Sequence, residues 1–253
     1  MALPAVIDVL ETILKTGVVV TGDGQERELD SHVSAEECRF LQRIVAETGA
    51  RSAVEIGLAY GISAMAICEV LNGNGGKHIV IDPAQHERWQ GIGMTNLKRC
   101  GFADLVELME MPSHQALPIL EARGHQVDFA FIDGMHTFDH TLVDFFYIDR
   151  LLKVGGVVAL DDADFAAVRK VCRFIASNRS YRVLRCLGEA DRGREIKHRL
   201  AESIASVIPD RDRLLAPEVV EPDHALGIVA GSRCVAFVKT ADDERAWNFH
   251  WRF

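Results

Sequence analysis

Between residues 52 and 177 the sequence alternates short apolar runs with amphipathic helical patterns, and this alternation constrains the fold more than any other feature. It predicts strands at 52–57, 78–82, 104–109, 127–133 and 156–161, with helices at 62–71, 85–100, 113–122, 137–152 and 164–177. Apolar strands that alternate with helices are typical of a parallel sheet covered on both faces. The sequence therefore predicts an α/β fold with a doubly wound, Rossmann-like, mostly parallel sheet of seven strands. Ligands of such sheets bind at the carboxyl ends of the strands.

The segments on either side of this core complete the predicted domain plan. Residues 1–33 are assigned to an accessory helix, near 3–15, and a loop, and residues 34–253 to a single domain. That domain opens with a helix from Ser34, where Glu37 has capping-box spacing, to Thr48. A sixth strand is predicted at 181–187, and a last one at 226–239 as a hairpin or a bulged strand. The charged stretch at about 188–224 is interpreted as a surface insertion, with a substrate lid as the alternative.

The segment Val54 to Ser63 reads VEIGLAYGIS, in which an apolar strand passes through two glycines into a helix. Glycines at these positions let the backbone turn tightly and bring its N–H groups close to a ligand at the helix N-terminus. An ordinary strand-to-helix turn would look similar, and the spacing differs from the GxGxxG of dinucleotide sites. About twenty residues later the next strand ends in Asp82, where a carboxylate can accept hydrogen bonds from a ribose diol.

Acidic residues fall at four predicted strand ends: Glu55, Asp82, Asp133 and the pair Asp161-Asp162. Each alone is equally consistent with a helix cap. The strands that end at Asp133 and Asp161 are joined by one crossover helix and are therefore expected to be neighbours, so that their carboxylates converge on one hard cation. Asp161 and Asp162 can ligate the same ion only if the chain bends between them, because side chains alternate along a strand. His136, three residues after Asp133, is either a general base or a loop and capping residue.

Composition narrows the classes of partner. The net charge of −9, with no basic block, argues against nucleic acid. The six cysteines lie singly in apolar segments and are expected to be reduced. No apolar run approaches the length that spans a bilayer, so a cytoplasmic protein without a membrane partner is expected.

Together with IDP at 81–83, FIDGMH at 131–136, LLKVGG at 151–156 and LDD at 160–162, the glycine turn resembles the class I S-adenosylmethionine-dependent methyltransferases. The closest resemblance is to the metal-dependent O-methyltransferases, which include the catechol type and bacterial enzymes that methylate sugars and natural products. The similarity covers about residues 34–177. The catechol type carries lysine where this chain has His136. The sugar-methylating relatives commonly have histidine there and asparagine at the position of Asp162.

The resemblance implies roles for individual residues. It implies a general base at His136, metal ligands at Asp133, Asp161 and Asp162, and a ribose ligand at Asp82. The cofactor's methionine part would be held by the first acid and the glycine turn, its adenine would lie beside the segment after the third strand, and Asp133 would also border the cofactor. The residues so implied are Glu55, Gly57, Gly61 and Ser63 for the methionine part and Ser113 and His114 for the adenine.

The leading hypothesis is an O-methyltransferase that uses S-adenosylmethionine and a divalent ion, with magnesium favoured by an all-oxygen site, on a hydroxyl of a small molecule. The acceptor is a sugar, a natural product or a phenol. Alternatives are a metal-independent methyltransferase, an NAD-type oxidoreductase and a non-catalytic cofactor-binding protein. A homodimer follows only from the resemblance. The alternating aromatic tail is interpreted as an edge strand or oligomer contact, or as a substrate wall; its members are Trp247, Phe249, Trp251 and Phe253.

Overall fold

The structure, a computed structural model, describes residues 6–188 and 215–253. Its centre is a seven-stranded sheet with the order β5-β4-β3-β6-β7-β9-β8. The first five strands of that order are parallel, and β9 runs antiparallel to both of its neighbours. This confirms the predicted α/β class and the mostly parallel seven-stranded sheet. The strands are β3 (Ser52–Ile56), β4 (Lys77–Ile81), β5 (Val106–Met109), β6 (Val127–Ile132), β7 (Leu152–Leu160), β8 (Tyr181–Leu187) and β9 (Cys234–Lys239).

Helices cover both faces of the sheet, as apolar strands require. One face packs against α1, α2, α3 and α4, and the other against α5, α6 and α7, which gives two separate apolar cores. The helices are α1 (Val6–Thr16), α2 (Ala35–Thr48), α3 (Ile62–Gly73), α4 (Ile92–Arg99), α5 (Ser113–Ala122), α6 (Phe138–Leu151), α7 (Ala166–Asn178) and the short α8 (Pro217–Val220), followed by a 3₁₀ turn at Asp223–Leu226.

The predicted start and end of α2 are confirmed in detail. Ser34 accepts a hydrogen bond from the backbone N–H of Glu37, whose side chain accepts one from the N–H of Ser34, so both orphan donors are satisfied. Gly49 ends the helix in the left-handed conformation. Ahead of α2, the short strands β1 (Val18–Val20) and β2 (Glu26–Glu28) form an antiparallel pair. The sequence did not predict this pair, because three residues are too few to show a period.

Three predicted elements are wrong in extent or kind. The helix expected over 85–100 begins only at Ile92, because Asp82 and Gln85 bind backbone groups and hold a turn there. The last strand begins at Cys234 rather than 226, because the preceding residues form the 3₁₀ turn and a bend. The aromatic tail forms no strand; it lies against α7, where the ring of Phe253 packs on Phe174 at 5.2 Å.

The proposed lid and insertion fall mainly on 189–214, which lie outside the described residues. The division at residue 33 stays a prediction, although α1 contributes Leu10 and Ile13 to the same core as α3. Within 6–188 and 215–253, no helix has the length and apolar character needed to cross a membrane.

Candidate active site

The glycine turn lies at the carboxyl end of β3, directly against the end of β6. Gly57 has φ +96°, and a Cβ at this position would lie 2.0 Å from the carbonyl oxygen of Asp133. Gly61, also left-handed at φ +77°, begins α3. Position 57 can therefore hold only glycine, because the backbone after β3 lies in direct contact with the loop that carries Asp133 and His136.

Asp82 holds the outer side of this turn. One of its carboxylate oxygens accepts hydrogen bonds from the N–H groups of Leu58 (3.1 Å) and Ala59 (2.9 Å), and the other accepts from Ala84 (2.8 Å). Ala59 has φ +44°, which a non-glycine residue adopts only when its surroundings fix it. Asp82 therefore shapes the turn, and its predicted contact with a ribose stays a prediction.

Glu55 and Ser63 lie behind the turn rather than on its open side. Glu55 is fully buried, and the Ser63 hydroxyl, in the first turn of α3, donates a hydrogen bond to its carboxylate. Glu55 would therefore act on a cofactor from behind, through Ser63 and the turn.

The two residues expected beside an adenine begin α5. Ser113 is half-buried and His114 is exposed at the carboxyl end of β5. Beneath them lies Asp144 of α6, which is buried, has one oxygen without a hydrogen-bond partner and interacts with Ser113. Burial raises the pKa of Asp144 to about 6, although the hydrogen bond from Ser113 lowers it.

We expect Asp144→Asn to stabilise the protein at neutral pH. The pKa of Asp144 is about 6 in the folded protein, above the ordinary value of 3.8. The protonated Asp144 therefore contributes fully to the free energy of unfolding below about pH 4, and this contribution is lost as the pH rises towards and through 6. That difference corresponds to an upper value of about 3 kcal/mol, so a gain of roughly 1–2 kcal/mol, several degrees in Tm, is expected at pH 7. Thermal unfolding at pH 4 and pH 7 measures it, with the exposed Asp104→Asn as control. An equal change at both pH values would contradict the account.

The three acids predicted as metal ligands meet at the ends of β6 and β7. These strands are parallel neighbours, with Ile132 beside Leu160, so Asp133 and Asp161 follow adjacent strand ends. Asp162 has φ +50°, which confirms the bend that the sequence required between Asp161 and Asp162.

His136 stands between two of these acids. Its Nε2 lies 3.3 Å from Asp133 Oδ1 and its Nδ1 lies 3.3 Å from Asp162 Oδ2. The hydrogen bond with Asp133 raises the pKa of His136, against the effect of burial. The ring also makes an edge contact with Phe165, at 5.8 Å between centroids. The structure thus brings His136 and the acids together, as predicted.

The carboxyl groups of Asp133, Asp161 and Asp162 lie close enough to raise one another's pKa values. Burial and then the charge of Asp133 raise the pKa of Asp161 to about 10, and burial raises that of Asp133 to about 6. One oxygen of Asp161 is buried without a hydrogen-bond partner. A buried acceptor without a donor is costly, and a cation bound at Asp161 would satisfy it.

Sequence reasoning missed a fourth acid at this site. Glu37 of α2 is buried, and its side chain forms a hydrogen bond with the side chain of Asp161. Its Oε2 also accepts the hydrogen bond from the N–H of Ser34 that completes the capping box. The guanidinium of Arg233 lies 3.8 Å from Glu37 and partly balances the cluster. Glu37 was recognised only as a cap, because the sequence does not show that the first turn of α2 points at the end of β7.

The donor set suits a divalent ion. Only oxygen ligands from carboxylates are offered, which hard cations such as magnesium prefer, and the unpartnered oxygen of Asp161 needs such a partner. As the side chains stand, the described residues include no group of three or more histidine, cysteine or acidic side chains placed so that it could hold a metal ion. In the structure His136 stands between Asp133 and Asp162.

A strand-glycine-helix turn beside acids at the ends of a doubly wound sheet defines a class of nucleotide-cofactor enzymes. Residues 54–163 match the family model described as a methyltransferase domain. The chain is 27% identical over 157 residues to a catechol O-methyltransferase of Mycobacterium tuberculosis, covering 58% of this chain and 69% of that one. It is 29% identical over 156 residues to caffeoyl-CoA O-methyltransferase 1 of Zea mays, covering 56% and 57% of the two chains. It thus spans little more than half the length of that plant relative.

Solved structures show the same fold over nearly the whole chain. An O-methyltransferase from Bacillus cereus in complex with SAH superposes with a TM-score of 0.59 at 19% identity, covering 92% of this chain and 90% of that one. The O-methyltransferase TomG from Streptomyces achromogenes, in complex with SAM, gives 0.59 at 18%, covering 95% and 92%. The matches bear out the resemblance seen in the sequence: residues 54–163 match a methyltransferase domain, the chain is similar in sequence to O-methyltransferases, and its fold is that of the two solved O-methyltransferases.

Proposed function

We propose that this protein transfers a methyl group from S-adenosylmethionine to a hydroxyl of a small molecule, with the help of a divalent ion. The observation that carries the proposal is the meeting of Asp133, Asp161, Asp162 and His136 at two neighbouring strand ends, beside the Gly57 turn. Magnesium is the favoured ion, because the ligands are carboxylate oxygens.

Each part of the cofactor site has a residue of suitable chemistry. The Gly57 to Gly61 turn offers backbone groups to the methionine part, with Glu55 and Ser63 behind it. Asp82 would bind the ribose, Ser113 and His114 would border the adenine, and Asp133 would separate cofactor from metal. The metal ligands would be Asp133, Asp161 and Asp162, with Glu37 close behind Asp161.

The chemistry follows from this arrangement. When bound, S-adenosylmethionine would supply the methyl group, and a divalent ion held by Asp133, Asp161 and Asp162 would favour deprotonation of the acceptor hydroxyl. His136 would take the hydroxyl proton on a ring nitrogen that has released its carboxylate partner. The acceptor oxygen would gain the methyl group as the carbon–sulfur bond breaks, with S-adenosylhomocysteine as the second product. Positioning the two reactants in line provides much of the acceleration.

Exposed apolar side chains form the rim around His136. Met135, Phe138 and Phe165 are 59%, 38% and 51% exposed, and the ring of Phe165 contacts His136. Such a rim can exclude water from a reaction that neutralises charge. Sugar, natural-product and phenolic acceptors remain in the proposal, and a homodimer is proposed only from the resemblance. Of the alternatives, a metal-independent methyltransferase with the acids in structural roles is the nearest.

We expect the protein to bind S-adenosylmethionine and not NAD, and Asp82→Ala to weaken that binding at least tenfold. Each charge-assisted hydrogen bond contributes roughly 1.5–3 kcal/mol, and the variant also releases the N–H groups of Leu58 and Ala59. Titration calorimetry decides this, with the exposed Asp104→Ala as control. Tight NAD binding without a signal for S-adenosylmethionine would overturn the assignment.

A further inference from the structure

A buried histidine, His78, lies directly behind the glycine turn. Its Nε2 is 3.2 Å from Glu55 Oε2, and both side chains are fully buried. In the sheet, His78 of β4 stands beside Ala53 of β3, so Glu55, two residues further on, projects from the same face. The contact has the distance of an ion pair without the alignment of a hydrogen bond, and neither atom has another hydrogen-bonding partner.

The other ring nitrogen of His78 meets a thiol. Nδ1 lies 3.4 Å from Cys68 Sγ. Burial raises the pKa of Cys68 far above its ordinary value, so this group stays a protonated S–H donor. A donor at Nδ1 leaves that nitrogen as the acceptor and puts the ring proton on Nε2, facing Glu55.

The chain of contacts continues to the first turn of α3. Glu55 contacts His78 through Oε2, and its Oε1 accepts a hydrogen bond from the hydroxyl of Ser63. Among the described residues, Cys38 of α2, Cys68 of α3 and Asp133 at the end of β6 are the other titratable groups that interact with Glu55. Without His78 the fully buried Glu55 carboxylate would keep the Ser63 hydroxyl as its one hydrogen-bond donor among the described residues, and a buried carboxylate with a single donor is poorly held in position.

We propose that His78 is a positioning residue for the cofactor turn: it fixes the Glu55 carboxylate, and through it the Ser63 hydroxyl, in the arrangement that binds the amino-acid part of the cofactor. This inference rests on the proposed function. A merely structural histidine would change the thermal stability of the protein but leave the affinity of the folded protein for the cofactor product unaltered.

The test is the dissociation constant of S-adenosylhomocysteine, measured by calorimetry well below the Tm of each variant. His78→Phe keeps the ring volume and removes both nitrogens, and we expect at least tenfold weaker binding. His78→Gln restores an N–H donor and an acceptor, and its affinity should return to within about threefold of wild type. His125→Phe, a change of the same kind before β6 at the opposite end of the sheet, should leave affinity unchanged.

A double-mutant cycle shows whether the effect passes through Glu55. In a Glu55→Gln background, His78→Phe should weaken binding by less than about twofold. If His78→Phe fails to fold, Cys68→Ala, which frees the ring tautomer, should weaken binding about threefold or more, and no change would refute the inference. Wild-type affinity in folded His78→Phe would overturn the role of His78 and leave the proposed function standing. No binding to the wild-type protein would overturn both.

Discussion

Removal of divalent ions is expected to abolish methyl transfer to every acceptor, and magnesium should restore it. Asp133, Asp161 and Asp162 crowd like charges at two strand ends, where burial raises the pKa of Asp161 to about 10 and one of its oxygens has no hydrogen-bond partner. A divalent cation at this site would stabilise the negative charge that develops on the acceptor oxygen by several kcal/mol. Such a stabilisation corresponds to a rate factor of about 10³ or more. Cofactor binding should largely survive, because the proposed ligands of the ion are carboxylate side chains, whereas the Gly57 to Gly61 turn offers backbone groups to the cofactor.

Turnover of exhaustively chelated protein, with and without added magnesium, measures this effect. Asp161→Asn should reproduce the loss in the presence of magnesium, whereas Asp164→Asn, three residues further on and exposed, should not. Full turnover after chelation would replace the proposal by a metal-independent methyltransferase in which the three acids are structural.

Replacement of His136 by alanine is expected to lower kcat by about 10²–10⁴-fold, which is the usual cost of losing a positioned base. The affinity for S-adenosylmethionine should change little, because the His136 ring contacts Asp133, Asp162 and Phe165 and is assigned no role in holding the cofactor. Steady-state kinetics and calorimetry on the same preparation separate the two effects.

Two further variants sharpen the assignment of His136. His140→Ala removes an exposed histidine four residues away, near Asp139, and should keep the wild-type rate. His136→Lys should retain partial activity at higher pH, because catechol-type relatives carry lysine at the matching position. A His136→Ala enzyme with an unchanged rate would leave His136 as a loop residue.

The fold was predictable because its signals are local and repeated. The parallel strands are mostly apolar, and Ser34, Glu37 and Gly49 mark the ends of α2 with their own chemistry. Where the prediction failed, a tertiary contact decided: Gln85 donates to Ala59 and accepts from Gly93, which holds residues 84–91 as a turn instead of a helix. The aromatic tail has the alternation of a strand, but it pairs with no strand that the structure describes, and Phe253 packs on α7 instead.

The site was predictable as far as strand ends could be located. Asp133 and Asp161 follow neighbouring strands, and a single crossover between them is visible in the sequence. Glu37 and His78 were not predictable, because each acts across elements that are distant in sequence: Glu37 reaches Asp161 from α2, and His78 reaches Glu55 from the next strand. Asp82 was predicted as a site residue, but its hydrogen bonds with the backbone N–H groups of Leu58 and Ala59 were not predicted.

The most direct test of the central claim is a crystal structure with S-adenosylhomocysteine and manganese, which replaces magnesium and scatters anomalously. The account predicts the amino-acid part of the ligand on the Gly57 to Gly61 turn and its ribose beside Asp82. An anomalous peak should lie about 2–2.5 Å from carboxylate oxygens of Asp133, Asp161 and Asp162, with His136 turned away from Asp133 or Asp162. Ligand bound away from the turn, or manganese bound only elsewhere, would contradict the account.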